Sequence, residues 1–160
     1  MKILAFKAQP KNYLNIDKSL SRSAQPEKDD FIWLKEHGVT DVVNFRTMHT
    51  PDVDFDEKKV VEDLGMKYHN IPTITFKPNE NKVKQFLDLV EKIKQAGGKA
   101  HIHCKAGADR TGMYAFIYKA IQGLGSLFEN EKEWIDLGHN TQRFPDLRSW
   151  AKEFVRKNKL

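Results

Sequence analysis

Glycine punctuation is what most narrows the fold open to this chain. Helix-patterned stretches end at Gly38, at Gly65 and at Gly97-Gly98, and a short β-branched or apolar run follows each of them. Glycine ends helices because it takes up the left-handed conformation there without a Cβ clash. PEKDDFIWLKEH, residues 26–37, opens with a proline suited to a first helical turn, carries early acids and stops at Gly38; VTDVVNF, 39–45, then predicts a strand. DEKKVVEDLG (56–65) and MKYHNI (66–71) repeat the unit. From Glu80, apolar Val83, Phe86, Leu87, Val90 and Ile93 fall three and four apart, a helix face, and KAHIH (99–103) follows as a strand. MYAFIYKAIQGL, beyond Arg110, is apolar nearly all round and predicts a buried central helix, with two more helices over 126–137 and 145–157. Such alternation predicts an α/β fold: a central, mostly parallel twisted sheet of about four to five strands flanked by helices. Ligands of such sheets sit beyond the strand C-termini.

No repeat or low-complexity linker divides the 160 residues, so a single domain over 1–160 is expected. Cys104 is the only cysteine, which excludes a disulfide within the chain and favours a reducing, cytoplasmic setting. The opening MKILAFK is too short for a signal core or a membrane span, so no membrane insertion is expected. A formal charge of +5 favours anionic partners without naming one. No stripe of interleaved aromatic and basic residues supports nucleic acid, which is not expected as a partner. Nothing in the chain sets its oligomeric state.

The single cysteine stands in HCKAGADRTG, residues 103–112, between a predicted strand and a predicted helix. A helix N-terminus offers unpaired N–H groups and partial positive charge, so a loop wrapped there can cradle a tetrahedral oxyanion. In the segment Lys105, Ala106, Gly107, Ala108, Asp109, the small residues keep side chains clear, and Gly107 is free to adopt angles others avoid. Arg110 adds a planar fork that matches two phosphate oxygens at once. A thiol at the base of the cradle feels the same amides, which favour its thiolate. In-line attack by Cys104 on a bound phosphoryl group would give a phosphocysteine that water hydrolyses, with charge neutralised by amides and Arg110 and no cofactor or metal required. A lone cysteine after a strand is ordinarily a small buried apolar residue. The conjunction of His103, Cys104, Gly107, Arg110, Thr111 and Gly112 at one strand-to-helix junction argues for the phosphoryl chemistry instead.

HCKAGADRTG resembles the HC-five residues-R-S/T motif of the cysteine-dependent protein tyrosine and dual-specificity phosphatases. SRSAQP (21–26), NFR (44–46) and the DRTG ending are similar to small bacterial-type and Siw14-like atypical dual-specificity phosphatases, over roughly residues 12–155. The resemblance implies that Cys104 is the nucleophile, Arg110 the phosphate clamp and Thr111 a hydroxyl bonding the sulfur. It implies that His103 orders the loop, and a phosphorylated protein or small phosphorylated molecule as substrate.

The pattern departs at the general acid. Better-known members carry an aspartate on a loop some thirty residues upstream, whereas IPTITFKPNEN, 71–81, has only Glu80. Asp109 ranks first as acid or water-orienting base, ahead of Glu80 and of an acid in 52–57 of the run TPDVDFDE, which supplies Asp52, Asp54 and Asp56. Lys105 matches lipid-phosphatase-like loops reading HCKAGKGRTG, but Ala108 and Asp109 replace a lysine and a glycine, so the loop is less cationic than those. Lys77, Lys82 and Arg46 are candidates to border the site, with Arg46 also suited to anchoring the strand-to-loop junction, and Tyr68, Phe76 and Phe55 are candidates to line a ring-binding cleft or simply core. Alternatives are an inositol-phosphate or other non-protein phosphatase, a catalytically weak phosphate-binding module, and a metal site from His101, His103 and Cys104. The metal site is disfavoured because 101 and 103 share a strand face from which 104 turns away.

Overall fold

A computed structural model describes residues 9–47 and 52–159, so MKILAFK and residues 50 and 51 of the acidic run lie outside the described part. The elements are β1 (Leu14–Asp17), β2 (Leu20–Ser23), α1 (Asp30–Glu36), β3 (Asp41–Asn44), α2 (Glu57–Asp63), β4 (Lys67–Asn70), α3 (Glu80–Gln95), β5 (Ala100–His103), α4 (Asp109–Gln122), α5 (Leu127–Asp136) and α6 (Leu147–Asn158). The five strands lie in the order β1-β2-β5-β3-β4. β2, β5, β3 and β4 run parallel, and only β1 is antiparallel to its neighbour. The mostly parallel, helix-flanked sheet expected from the glycine punctuation is present.

The β1–β2 hairpin is an addition that strand periodicity did not predict. LNID and LSRS are too polar to read as strands. The turn between them is set by Asp17, whose Oδ1 accepts from the Ser19 N–H at 2.7 Å while its Oδ2 accepts from the Tyr118 hydroxyl of α4 at 2.6 Å. The first helix starts at Asp30 rather than at Pro26, because the Asp30 carboxylate accepts from the Glu27 N–H at 2.7 Å and holds 27–30 as a turn.

Alternation along the strands divides the core. Val43, Ala100 and Ile102 join the larger cluster with Phe86 and Val90 of α3, Ile117 of α4 and Phe154 of α6. Val42 joins Phe31 and Leu34 of α1, Val61 of α2 and Met66 in a smaller one. Every residue from Thr111 to Tyr118 is buried, since α4 packs against α5 and α6 as well as the larger core. That is why its sequence shows no polar face. Ser23 and Asn44 both pair with His103, and Asn44 with Asn70, so the four parallel strands end level. Cys104 follows β5 at that edge.

Candidate active site

The segment 104–108 between β5 and α4 is shaped by what its carbonyls touch. The Cys104 carbonyl faces His103 Nδ1 at 3.1 Å, that of Lys105 accepts from the Gln25 N–H at 2.9 Å, and that of Ala106 from Asn12 Nδ2 at 3.3 Å. Gly107 accepts from Arg22 Nη2 at 2.6 Å and Ala108 from the Trp134 indole N–H at 3.1 Å. Five successive carbonyls are thus bound to groups outside the segment. Among the described residues none of the N–H groups of Lys105, Ala106, Gly107 and Ala108 donates within the protein. Unspent amides at the start of a 14-residue helix are placed as such groups are where loops accept an anion.

Two glycines are fixed by close approach. Gly107 has φ +72°, and a Cβ there would lie 2.5 Å from the Ala24 nitrogen and 2.6 Å from the Ser23 carbonyl. Its left-handed turn and the contact with the end of β2 both demand glycine. At Gly112 a Cβ would overlap the Trp134 indole, so the second glycine of the motif lets α5 reach α4.

Cys104 is buried. The Arg22 guanidinium is also buried; burial lowers its pKa, while the charges of Glu133 and Cys104 act in the opposite direction. Arginine stays protonated under such conditions, so Arg22 is a fixed cation at the loop. His103 Nδ1 donates to the Cys104 carbonyl, and its Nε2 lies 2.7 Å from Glu57 Oε2. Burial works to raise the Glu57 carboxyl, but the charge and hydrogen bond of His103, with Gln25 and Arg46, hold it below the usual carboxylate range. Glu57 Oε1 accepts from Gln25 at 2.7 Å, and Gln25 accepts from Arg46 at 3.0 Å. Arg46 in turn grips Asp52 with two bonds of 3.0 and 2.8 Å. Arg46 therefore anchors the junction after β3.

Asp109 is the first residue of α4. Its Oδ1 accepts from the Asn140 N–H at 2.8 Å and from Nδ1 of buried His139 at 2.6 Å, and His139 stacks on Trp134. Arg110 is partly exposed, with Nη1 3.5 Å from the Thr73 carbonyl. Thr73 donates to the Ile71 carbonyl and so accepts from Tyr114, whose phenol burial pushes up to about 12; the tether of loop 71–79 to α4 persists through neutral pH. Thr111 is buried and its hydroxyl has no partner among the described residues.

The other sequence candidates scatter. Glu80 pairs with Lys157 of α6. Lys82 donates to the Pro72 carbonyl, while Lys77 and Lys105 are exposed. Tyr68 and Phe55 pack against the smaller core cluster, leaving Phe76 as the exposed ring of the three. His101 is bonded by Ser21 at 2.8 Å and Ser23 at 2.7 Å, and His103 is engaged by Glu57. Among the described residues no group of three His, Cys, Asp or Glu is placed to hold a metal ion, and no helix is long and apolar enough to cross a membrane. Nothing in the sequence marks Asn12, Trp134 or His139 as part of the site, Arg22 shows only as a member of SRSAQP, and Glu57 reads as one acid of the run 50–57.

Solved structures share this architecture. A DUF442 protein of Shewanella putrefaciens CN-32 is 25% identical with a TM-score of 0.79, covering 94% of this chain and 95% of its own. P. aeruginosa TpbA in complex with pTyr is 21% identical with a TM-score of 0.70, covering 91% of this chain and 83% of its own. The core catalytic domain of the PP-IP phosphatase SIW14 from S. cerevisiae, in complex with citrate, is 19% identical with a TM-score of 0.73, covering 93% and 86%. No curated protein matches the chain. Residues 17–122, more than half of the sequence, match the family model described as "Polymorphic toxin system, DSP-PTPase phosphatase", so the chain belongs to that family of cysteine-dependent phosphatases.

Proposed function

We propose that residues 1–160 form one catalytic domain that hydrolyses phosphomonoesters through Cys104, with aryl phosphates such as phosphotyrosine as preferred substrates. The observation that carries this reading is the outward anchoring of five successive carbonyls, which leaves the loop amides for the phosphoryl oxygens. Arg110 closes on two of those oxygens, and the buried Arg22 guanidinium adds a fixed positive charge that interacts with Cys104.

In the first step the S–P bond forms as the P–O bond to the leaving group breaks. Loop 71–79 carries no carboxyl group, so the leaving oxygen departs with its electron pair and takes its proton from water. A phenolate, whose conjugate acid has a pKa of about 10, tolerates this far better than an alkoxide does. In the second step water attacks phosphorus, the S–P bond breaks, and the water proton passes to Asp109. Asp109 Oδ1 is already bonded by His139 and Asn140, and Oδ2 is the oxygen left to orient that water. The unbonded Thr111 hydroxyl is available to the departing sulfur. TpbA, a structural neighbour, is solved with pTyr, which agrees with this substrate class. A phosphorylated protein is the proposed partner, and the free thiol suits a cytoplasmic location.

The test is phosphate release from p-nitrophenyl phosphate and from phosphotyrosyl, phosphoseryl and inositol phosphates in the presence of a chelator. Wild type is expected to favour aryl esters, Cys104→Ser to lose at least about 10³-fold in turnover while still binding phosphate or vanadate, and Asp109→Asn to slow the second step. Tight phosphate binding by wild type with no turnover would instead identify a binding module.

A further inference from the structure

A cleft leads away from Arg110 between loop 71–79 and the segment that enters α6. Close to Arg110 it is a closed seam walled by Thr73, Ile74 and Met113. Thr75, Pro78 and Leu147 continue from that seam into an open cavity of about 220 Å³ whose far walls are Phe76, Phe144 and Trp150. Thr75, Pro78 and Leu147 therefore connect the cavity to the side chain of Arg110 through shared walls.

Of the rings that line the cavity, Phe144 is a buried member of the larger core cluster, Trp150 is partly buried against that cluster, and Phe76 stands out from it. Phe76 is 65% exposed, and it packs on Phe144 with ring centres 4.7 Å apart. Arg143 lies over both rings, 5.7 Å from the centre of Phe76 and 5.3 Å from that of Phe144. This cation–π seating fixes the guanidinium at the rim, and among the described residues Arg143 forms no ion pair. Asp146 lines the same cavity. One cation and one carboxylate beside apolar rings make a poor seat for a polyanion such as an inositol polyphosphate. A cavity of this volume takes one large side chain, and the guanidinium suits a single carboxylate next to it.

We infer that this cavity is a specificity subsite for a phosphoprotein substrate: it takes a large apolar or aromatic side chain flanking the phosphoresidue, with Arg143 pairing an adjacent acidic residue. The inference rests on the phosphatase reading above and deepens it by naming the sequence context of the substrate. Phe76 and Trp150 grip the apolar side chain through contact area, and Arg143 selects charge. Exposed Ile74, beside Phe76, extends the apolar lip toward Arg110.

The test is kcat/KM on a set of phosphotyrosyl peptides whose flanking positions carry Leu, Phe or Trp against Ser, each with Glu or Lys beside it, run alongside p-nitrophenyl phosphate and an inositol polyphosphate. Wild type is expected to prefer the apolar-acidic peptides by about 10-fold or more over the Ser-Lys peptides. Phe76→Ala should collapse the apolar preference, and Arg143→Glu should reverse the Glu-over-Lys preference. That reversal is a gain no loss of folding can imitate. Turnover of p-nitrophenyl phosphate with no preference among peptides would overturn the subsite and leave the phosphatase reading standing. A higher kcat/KM for the inositol polyphosphate than for any peptide would overturn the subsite too. Failure of wild type to turn over any of the compounds would sink both.

Discussion

β5 with the loop after it and β2 beside it build the proposed phosphate site in opposite ways. AHIH leads into HCKAGADRTG, where glycines, an arginine and a cysteine announce their purpose through backbone chemistry alone. LSRS announces nothing, yet all four of its residues are buried. Its Arg22 holds the Gly107 carbonyl, its Ser23 packs under Gly107, and its Ser21 and Ser23 clamp His101 from both ring nitrogens. Ser23 donates its proton to the Ala24 carbonyl and so accepts from His101 Nε2, which fixes the tautomer and leaves Nδ1 to accept from Ser21. The loop at Cys104 is thus half of the proposed site, whose other half is a polar strand that only makes sense buried.

The comparison breaks most sharply at the contact between the two halves. Gly107→Ala should cost at least about 100-fold in kcat/KM together with about 1–3 kcal/mol of stability, because its Cβ meets the β2 backbone and its φ is +72°. Kinetics and denaturant titration check both numbers. Arg22→Met should also lower activity, by about 10- to 100-fold, since the Gly107 carbonyl loses its anchor and Cys104 loses a buried cation. Removing a desolvated charge offsets much of the lost bond, so its Tm should fall less than that of Gly107→Ala. An Arg22→Met protein with full activity would show that β2 is packing and nothing more.

Glu57→Gln sharpens the comparison from the side of β5. It removes the anion opposite His103, and we expect about a 10-fold loss of activity with about 1–3 kcal/mol of stability. The same pair gives acid lability: the Glu57 carboxyl titrates lower folded than unfolded, so its contribution is present above the unfolded value of about 4.3 and is lost as pH falls through the folded one. The smallest effect belongs to His101. Burial, then the charges of His103 and Lys99, hold its pKa well below the ordinary 6.5. The unfolded chain binds the proton first, so stability should decline by up to about 1.4 kcal/mol per pH unit as pH drops below about 6.5. In His101→Asn that limb of the pH–stability curve should flatten.

What could be read from the sequence was whatever is encoded within a few residues. Gly38, Gly65 and Gly97 mark helix ends, and the α3 face shows in its three-and-four spacing. The HC-to-RTG segment could be read as a proposed nucleophile, cradle and clamp because helix N-termini and guanidinium forks act locally. The rest depended on partners far along the chain. Glu57 looked like one more loop acid until α2 placed it against His103, 46 residues away, and Asp109 lay beside Arg110 with no hint of His139 and Asn140 behind it. Likewise Phe76, Arg143 and Trp150 are unremarkable in sequence and form a cavity only after loop 71–79 meets the entry to α6.

The chain by itself determined the alternation of strands and helices and the chemistry of the loop at Cys104, because capping, periodicity and anion binding at a helix start are set by neighbouring residues. Only the tertiary structure decided which polar groups are buried as supports, since the cost of burying Arg22, Glu57 or His101 is met by partners that the sequence keeps 85, 46 and 78 to 80 residues away.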